Sequence, residues 1–148
     1  MARFFVDAES LKAETIVLNG ENAQHAKVLR LKAGEQVVAC DGEGFECICT
    51  VESFAGNEVN LTVQERRESS SEASVRVSVY MGFPKSDKLE HVIQKATELG
   101  ADEIVAFPAA RSVSKPDEKS LKKKLERWQK IAASAAEQSG RGKIPQVL

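Results

Sequence analysis

The chain has 148 residues, 42% of them hydrophobic and 29% charged, and its net charge is −1. This length suits one ordinary domain or two small ones, and the composition excludes a disordered chain. No run reaches the roughly eighteen consecutive apolar residues of a membrane span, and residues 1–7 lack the apolar core of a signal peptide, so we expect a soluble, cytoplasmic protein without membrane contact.

The first 70 residues predict a small β-rich unit. Apolar runs separated by Gly, Asn or Asp turn signals indicate five short strands. The runs are Arg3–Val6, Thr15–Leu18, Gln36–Ala39, Phe45–Val51 and Glu58–Val63. Short strands with regular turns are typical of a barrel or sandwich, and a short helix over Glu21–Leu31 would pack against it.

The polar side chains of that helical segment form a cationic cluster in an acidic half. Residues 1–70 have a net charge of −5, whereas residues 71–148 carry +4. The cluster consists of His25, Lys27, Arg30 and Lys32. Two interpretations stay open: a solvated helix face, or a local patch that contacts the phosphates of a nucleic acid.

Three cysteines, Cys40, Cys47 and Cys49, are an odd number without the paired CxxC spacing of a zinc site. Only two histidines could complete such a site, so we predict no metal. Cys47 and Cys49 alternate with Val51 along a predicted strand, which indicates reduced thiols in a hydrophobic core.

The stretch 65–74 is polar and rich in serine, so we predict a linker there, between a domain at 1–70 and a second at 74–148. The second domain has the alternation of strand and helix patterns that is typical of an α/β domain with a parallel sheet. Its predicted elements are a strand over Val75–Phe83, a helix capped by Ser86 and ending at Gly100, a strand over Ile104–Phe107, a helix over 117–139 that stops at Gly140, and a strand over Ile144–Leu148.

Ligands of such sheets bind at the carboxyl ends of the strands, where two predicted loops carry cations, including Lys85 and Arg111. Arg141 and Lys143 follow the long helix on a glycine turn and are either solvated or functional. Glu98 and Glu137 lie in last helical turns, where the dipole disfavours acids. They are either exposed at little cost or partners of Arg111 or Arg141. The chain shows no nucleotide cradle and no nucleophile with a base.

Several stretches together resemble one family, the ribosomal RNA small subunit methyltransferase E family of the SPOUT (trefoil-knotted) class. The resemblance covers essentially the whole chain in family order. The stretches are Arg3–Val6, His25 with Lys27–Lys32, Lys85–Lys88, Gln94–Gly100, Arg111–Val113 and Glu126–Pro145.

The resemblance implies an α+β protein with a PUA-like β-barrel for RNA binding, followed by a SPOUT α/β domain. It also implies a homodimer that methylates N3 of a uridine in small-subunit ribosomal RNA with S-adenosylmethionine. By motif position, the implied RNA contacts are Arg3, His25, Arg30, Lys32, Lys85 and Arg111. The implied catalytic residue is Arg141, on the same side as Lys85 and Arg111. Supporting roles are implied for Glu98, Glu137 and Gln138.

The chain departs from the family pattern in one respect. The glycine-rich segments that form the knot and the cofactor pocket do not occur in it, so we expect the α/β domain to be truncated, this chain to hold no cofactor, and this form to be inactive alone. Two other hypotheses remain, a non-enzymatic RNA-binding module and a protein-assembly domain. Steep salt dependence of RNA affinity would exclude the last of these.

Overall fold

The computed structural model describes residues 1–85, 87–112 and 116–148. Within it the chain forms two compact units, unit 1 (Met1–Ser70) and unit 2 (Ser71–Leu148). Among the described residues, no helix has both the length and the apolar character needed to cross a membrane. The same part of the chain contains no cluster of three His, Cys, Asp or Glu residues suited to a metal ion.

Unit 1 is a curled five-stranded sheet with two short helices. Its elements are β1 (Ala2–Phe5), α1 (Ala8–Lys12), β2 (Thr15–Leu18), α2 (Gly20–Val28), β3 (Gln36–Cys40), β4 (Phe45–Ala55) and β5 (Glu58–Glu68). The strand order is β1-β3-β4-β5-β2, in which β1 is parallel to β3 and all other neighbours are antiparallel. All five predicted strands are confirmed.

Two parts of unit 1 differ from the prediction. The helix α1 was not predicted, because only five residues form it and its main sequence signal is the capping residue Asp7, whose carboxylate accepts from Ser10 N at 2.8 Å. The predicted linker at 65–74 is wrong in its first part, since β5 continues to Glu68 in a long hairpin with β4.

The core of unit 1 includes the cysteines at 47 and 49, as predicted from their alternation with Val51. All three cysteines are free thiols with no exposed surface. Burial raises the pKa of Cys40 to about 12 and that of Cys49 to about 11. A thiol with so high a pKa contains almost no thiolate near neutral pH, so it is a poor nucleophile.

We expect none of the three thiols to react with an alkylating reagent at pH 8 in the folded protein, and all three to react in denaturant. Because the folded pKa values lie above the ordinary value of 9.0, unit 1 should lose stability as pH rises from about 9 toward 12. Mass spectrometry after timed alkylation measures the first expectation, and rapid labelling of the native protein would contradict it.

Unit 2 is a parallel three-stranded sheet with two helices. Its elements are β6 (Ser78–Gly82), α3 (Lys88–Glu98), β7 (Glu103–Phe107), α4 (Glu118–Ser139) and β8 (Gln146–Val147), and the strand order is β6-β7-β8. The predicted α/β pattern is confirmed. The first strand starts three residues later than predicted, because Val75 and Val77 are exposed, and the predicted cap Ser86 lies outside the described residues.

The helices of unit 2 pack against one face of its sheet. Leu89 and Ile93 of α3 and Trp128 of α4 join Ile104 and Val147 in one hydrophobic cluster. Alternation along each strand turns the neighbouring side chains to the opposite face, where Tyr80, Phe107 and Leu148 are exposed. The sheet is therefore covered on one side by its own helices.

Candidate nucleic-acid interface

The cationic cluster of unit 1 surrounds the end of α2, which is fixed to the sheet. Asn22 Nδ2 donates to the Phe5 carbonyl at 2.8 Å, and the His25 ring packs edge-on against Phe4 with centroids 5.5 Å apart. His25 is thus half-buried, whereas Arg30 and Lys32 are exposed. The described geometry brings these three predicted RNA contacts to one helix end.

Arg30 has the only non-glycine backbone with positive φ among the described residues, at 55°. The Leu31 N–H donates to the Ala26 carbonyl at 3.2 Å and the Arg30 N–H to the Lys27 carbonyl at 3.0 Å. This pair of bonds is the Schellman motif, which favours glycine at the position that Arg30 occupies.

The other two long helices end in the same motif with glycine at that position. Gly100 follows α3 with φ of 101°, and Gly140 follows α4 with φ of 77°. A left-handed residue with a side chain is strained, and strained residues cluster at functional sites. The strain at Arg30 therefore favours a functional over a merely solvated cation.

Arg3 is in a different environment from the other predicted RNA contacts. Its Nη1 donates to Glu46 Oε2 at 2.7 Å and to Cys40 Sγ at 2.8 Å, and its side chain is only 12% exposed. Glu46 also accepts from Arg67 Nε at 2.9 Å. Burial raises the pKa of the Glu46 carboxyl, but the two arginines outweigh it and hold the pKa below its ordinary value. This contact network gives Arg3 a structural role, and its RNA contact stays a prediction.

In unit 2, Lys85 and Arg111 are both exposed on loops at the carboxyl edge of the sheet. Their loops begin side by side, because the Phe83 N–H donates to the Phe107 carbonyl at 2.9 Å. Gly82 permits this approach, since a Cβ there would lie 3.1 Å from Ala109 Cβ. The sheet thus brings the two predicted RNA contacts of unit 2 to one edge.

A pocket of about 290 Å3 opens at the same edge, with Phe83, Asp87, Glu90, Lys124 and Trp128 in its lining. This volume is at the small end of ligand sites. Its acid Glu90 is held by Arg127, whose Nε lies 2.9 Å from Glu90 Oε1. We assign no cofactor contact to these residues.

Arg141 lies at the opposite, amino-terminal edge of the sheet, since it precedes β8. Its Nη1 donates to the carbonyl oxygens of Thr97, at 3.2 Å, and Ala101, and its Nη2 donates to Glu72 Oε2 at 2.7 Å. Its side chain is only 4% exposed. The expectation that Arg141 shares a side with Lys85 and Arg111 is therefore wrong, and its catalytic role stays a prediction.

Glu72 is the partner that the sequence analysis missed. Besides Arg141, it accepts from the N–H groups of Gly142 at 2.9 Å and Lys143 at 3.0 Å. Burial raises the pKa of Glu72, but Arg141 and the two N–H groups outweigh it and hold the pKa below its ordinary value. No sequence signal could have found this residue, because it lies in a stretch with the composition of a linker.

The three predicted supporting residues, Glu98, Glu137 and Gln138, lie in different surroundings, and their supporting roles stay a prediction. Glu98 is paired with Lys95 at 2.9 Å in its own helix. Glu137 is half-buried, and its carbonyl accepts the Gly140 N–H at 3.4 Å. Gln138 is exposed and lines a groove between α3 and α4 together with Gln94 and Arg127. The carboxylate that pairs with Arg141 is Glu72.

Comparison with known proteins matches each unit to a described domain. A family model for an RNA methyltransferase domain matches residues 71–148, and one for an RNA methyltransferase PUA domain matches residues 18–64. Over its full length, the chain is 42% identical to the ribosomal RNA small subunit methyltransferase E of Bacillus subtilis.

Two similar solved structures contain a cofactor. One is a ribosomal RNA small subunit methyltransferase E from Neisseria gonorrhoeae bound to S-adenosyl methionine, with a TM-score of 0.90 and 26% identity over 100% of this chain. The other is a methyltransferase from Legionella pneumophila with bound SAM, with a TM-score of 0.87 and 28% identity over 99% of this chain. The chain spans 59% of the Bacillus protein and 61% of each of these two.

Proposed function

Because this chain belongs to the ribosomal RNA small subunit methyltransferase E family, we propose that its protein methylates N3 of a uridine in small-subunit ribosomal RNA. The observation that carries the proposal is the presence of both units in one chain. One unit is matched by an RNA methyltransferase PUA domain and the other by an RNA methyltransferase domain, so the chain combines a part for RNA binding with part of a domain for methyl transfer.

Exposed cations of both units contact the RNA in this proposal. Arg30 and Lys32, with His25 beside them, contact phosphates from the end of α2, and the strained backbone of Arg30 supports this role. Lys85 and Arg111 contact the RNA from the carboxyl edge of the unit 2 sheet, where ligands of parallel sheets bind. Phosphate contacts fix the position of the RNA without reading its sequence.

The chemistry requires removal of a proton and an aligned methyl donor. N3 of uridine is weakly acidic, so its proton must leave before nitrogen attacks the methyl group, and an arginine can stabilise the developing anion. Arg111 is exposed at the carboxyl edge and can reach a substrate there. Arg141 lies at the other edge, so the role that its contacts support is to position the loop before β8, together with Glu72.

S-adenosylmethionine is the proposed cofactor, and it supplies the methyl group on a sulfonium. Both cofactor-bound relatives extend well beyond the region matched by this chain. We propose that the cofactor contacts come from that additional part and that this chain alone does not transfer methyl groups. The protein is further proposed to act in the cytoplasm as a homodimer.

Two measurements test the function. Calorimetry with S-adenosylmethionine and this chain should show no binding, whereas a protein with the length of its relatives should transfer labelled methyl groups to small ribosomal subunits. The chain should still bind small-subunit ribosomal RNA. Its affinity should fall as the salt concentration rises, because binding releases cations that are condensed on the RNA. RNA affinity that is absent or insensitive to salt would contradict the proposal.

A non-enzymatic RNA-binding module is the second candidate. It is favoured by the match of residues 18–64 to a PUA domain and by the exposed cations Arg30 and Lys32, which can bind RNA without a cofactor. RNA binding by both the 148-residue chain and a longer form, with no methyl transfer by either, would establish this alternative. Methyl transfer by the longer form would exclude it.

A further inference from the structure

Unit 1 has a groove of about 250 Å3 between α1 and the adjoining ends of β4 and β5. Two buried core residues, Leu11 and Cys47, form its floor. Around them, the groove is lined by Phe45, by the cations Lys12, Arg66 and Arg67, and by the acids Asp41 and Glu46. It lies apart from the predicted RNA contacts at the end of α2 and is not used by the function proposed above.

Phe45 is an exposed aromatic residue on a fixed backbone. Its side chain is at the start of β4, and the residue is 52% exposed. Asp41 Oδ1 accepts from the N–H groups of Gly44 and Phe45, each at 3.1 Å, and the Asp41 N–H donates to the Phe45 carbonyl at 3.2 Å. Because this backbone is already fixed, only the two side-chain torsions of Phe45 lose freedom when a flat ligand packs on its ring.

Arg66 leaves positive charge on the same face of the sheet as that ring. A bulge in the pairing of β4 with β5 sets Arg66 opposite Cys47, on the core face. Arg66 donates to the carbonyls of Leu11 and Lys12, both at 3.1 Å, and to that of Ala13. These acceptors are neutral, so they orient the guanidinium without cancelling its charge.

Arg67 also lines the groove, but it is paired with Glu46, one position along from Cys47, so alternation directs its guanidinium to the other face of the sheet. Its Nε is bound to Glu46, but that carboxylate is shared with Arg3, so the three residues together carry one positive charge. The Asp41 carboxylate, which also lines the groove, directs one oxygen to three backbone N–H groups. A flat ring, an apolar floor and the Arg66 guanidinium therefore meet in one groove.

We propose that this groove binds one unpaired RNA base, which stacks on Phe45 while a flanking phosphate contacts Arg66. Proteins recognise single-stranded RNA by stacking bases on aromatic rings and guanidinium planes and by neutralising the backbone with cations. An apolar peptide side chain would use the floor of the groove but leave its cations unused. The proposal rests on the proposed function, since it assumes that unit 1 binds RNA.

Phe45→Ala in the whole chain tests the proposal against a matched control on the same strand. Phe54, at the other end of β4, is also exposed and lies outside the groove lining. Loss of one stacked base should weaken binding of a mixed-sequence single-stranded oligoribonucleotide by about 5- to 100-fold in Phe45→Ala. Phe54→Ala should leave the affinity within about twofold of the unsubstituted chain, since no stacking is lost.

Phe45→Leu separates stacking from simple apolar contact, because leucine keeps apolar volume and lacks a flat ring. Under the proposal, Phe45→Tyr retains affinity and Phe45→Leu loses most of it, with thermal melting by circular dichroism showing that each variant is folded. The proposal is overturned if folded Phe45→Leu binds as tightly as the unsubstituted chain. If Arg30→Ala weakens binding but Phe45→Ala does not, the groove proposal fails while RNA binding by unit 1 stands. If the unsubstituted chain binds no RNA, the proposed function fails, and the groove proposal that rests on it fails as well.

Discussion

Replacing Arg141 with methionine is expected to lower the free energy of unfolding of unit 2 by about 3–5 kcal/mol. Methionine fills a similar volume but removes every hydrogen bond of the guanidinium. The Glu72 carboxylate then loses its countercharge and keeps only the N–H groups of Gly142 and Lys143, and removing one partner of a buried ion pair costs more than the pair contributes. The single tryptophan, Trp128, lies in the core of unit 2, so its fluorescence during urea unfolding reports this unit.

The controls use one milder variant and one exposed ion pair. Arg141→Lys keeps the charge but loses the planar fork, so it should destabilise unit 2 by an intermediate amount. Arg127, whose side chain is 68% exposed, pairs with Glu90, and Arg127→Met should change stability by less than about 1 kcal/mol. Equal effects of Arg141→Met and Arg127→Met would contradict the structural role of the buried pair.

The Arg141–Glu72 pair also makes the free energy of unfolding of unit 2 depend on pH. The pKa of Glu72 is lower in the folded protein than its ordinary value of 4.5, so its contribution is present above about pH 4.5 and is lost as pH falls through the folded pKa. The difference in stability between the unsubstituted chain and Arg141→Met should therefore shrink in acid. A difference that is constant from pH 7 to pH 3 would show that Glu72 is not the relevant partner.

Arg30→Gly is expected to stabilise unit 1 and to weaken RNA binding at the same time. A left-handed backbone costs a residue with a side chain roughly 1–2 kcal/mol, and the extra freedom of glycine in the unfolded chain takes back roughly 0.5–1 kcal/mol. The net gain should be about 0.5–1 kcal/mol. Loss of one phosphate contact should reduce the slope of log affinity against log salt by about one.

Hydrogen exchange at the α2 amides measures this stability, because the tryptophan lies in unit 2. The matched control is Lys32→Ala, which removes a neighbouring exposed cation from a residue with an ordinary backbone. It should weaken RNA binding without stabilising unit 1. If Arg30→Gly stabilises the unit and leaves RNA affinity unchanged, the strained arginine has no role in RNA binding.

The local pattern was sufficient to predict most of the fold. The five strands of unit 1 follow from apolar runs bounded by glycine and asparagine, and the stops of α3 and α4 follow from Gly100 and Gly140. These features depend on residues a few positions apart in the sequence, so the local pattern is enough to predict them. The error at the end of β5 arises because the strand continues to Glu68 through pairing with β4. The local polar composition does not reveal that contact.

The sequence by itself therefore determined the α+β class, the burial of the thiols and the family resemblance. It also determined where the cationic residues Arg30, Lys32, Lys85 and Arg111 stand in the chain. Only the tertiary structure decided which charges are free. It buries Arg141 against Glu72, 69 positions apart, and it gathers Phe45, Arg66 and Arg67 around one groove. The physical reason is that burial and pairing depend on which segments the fold brings together, and two residues far apart in the chain carry no local signal of their contact.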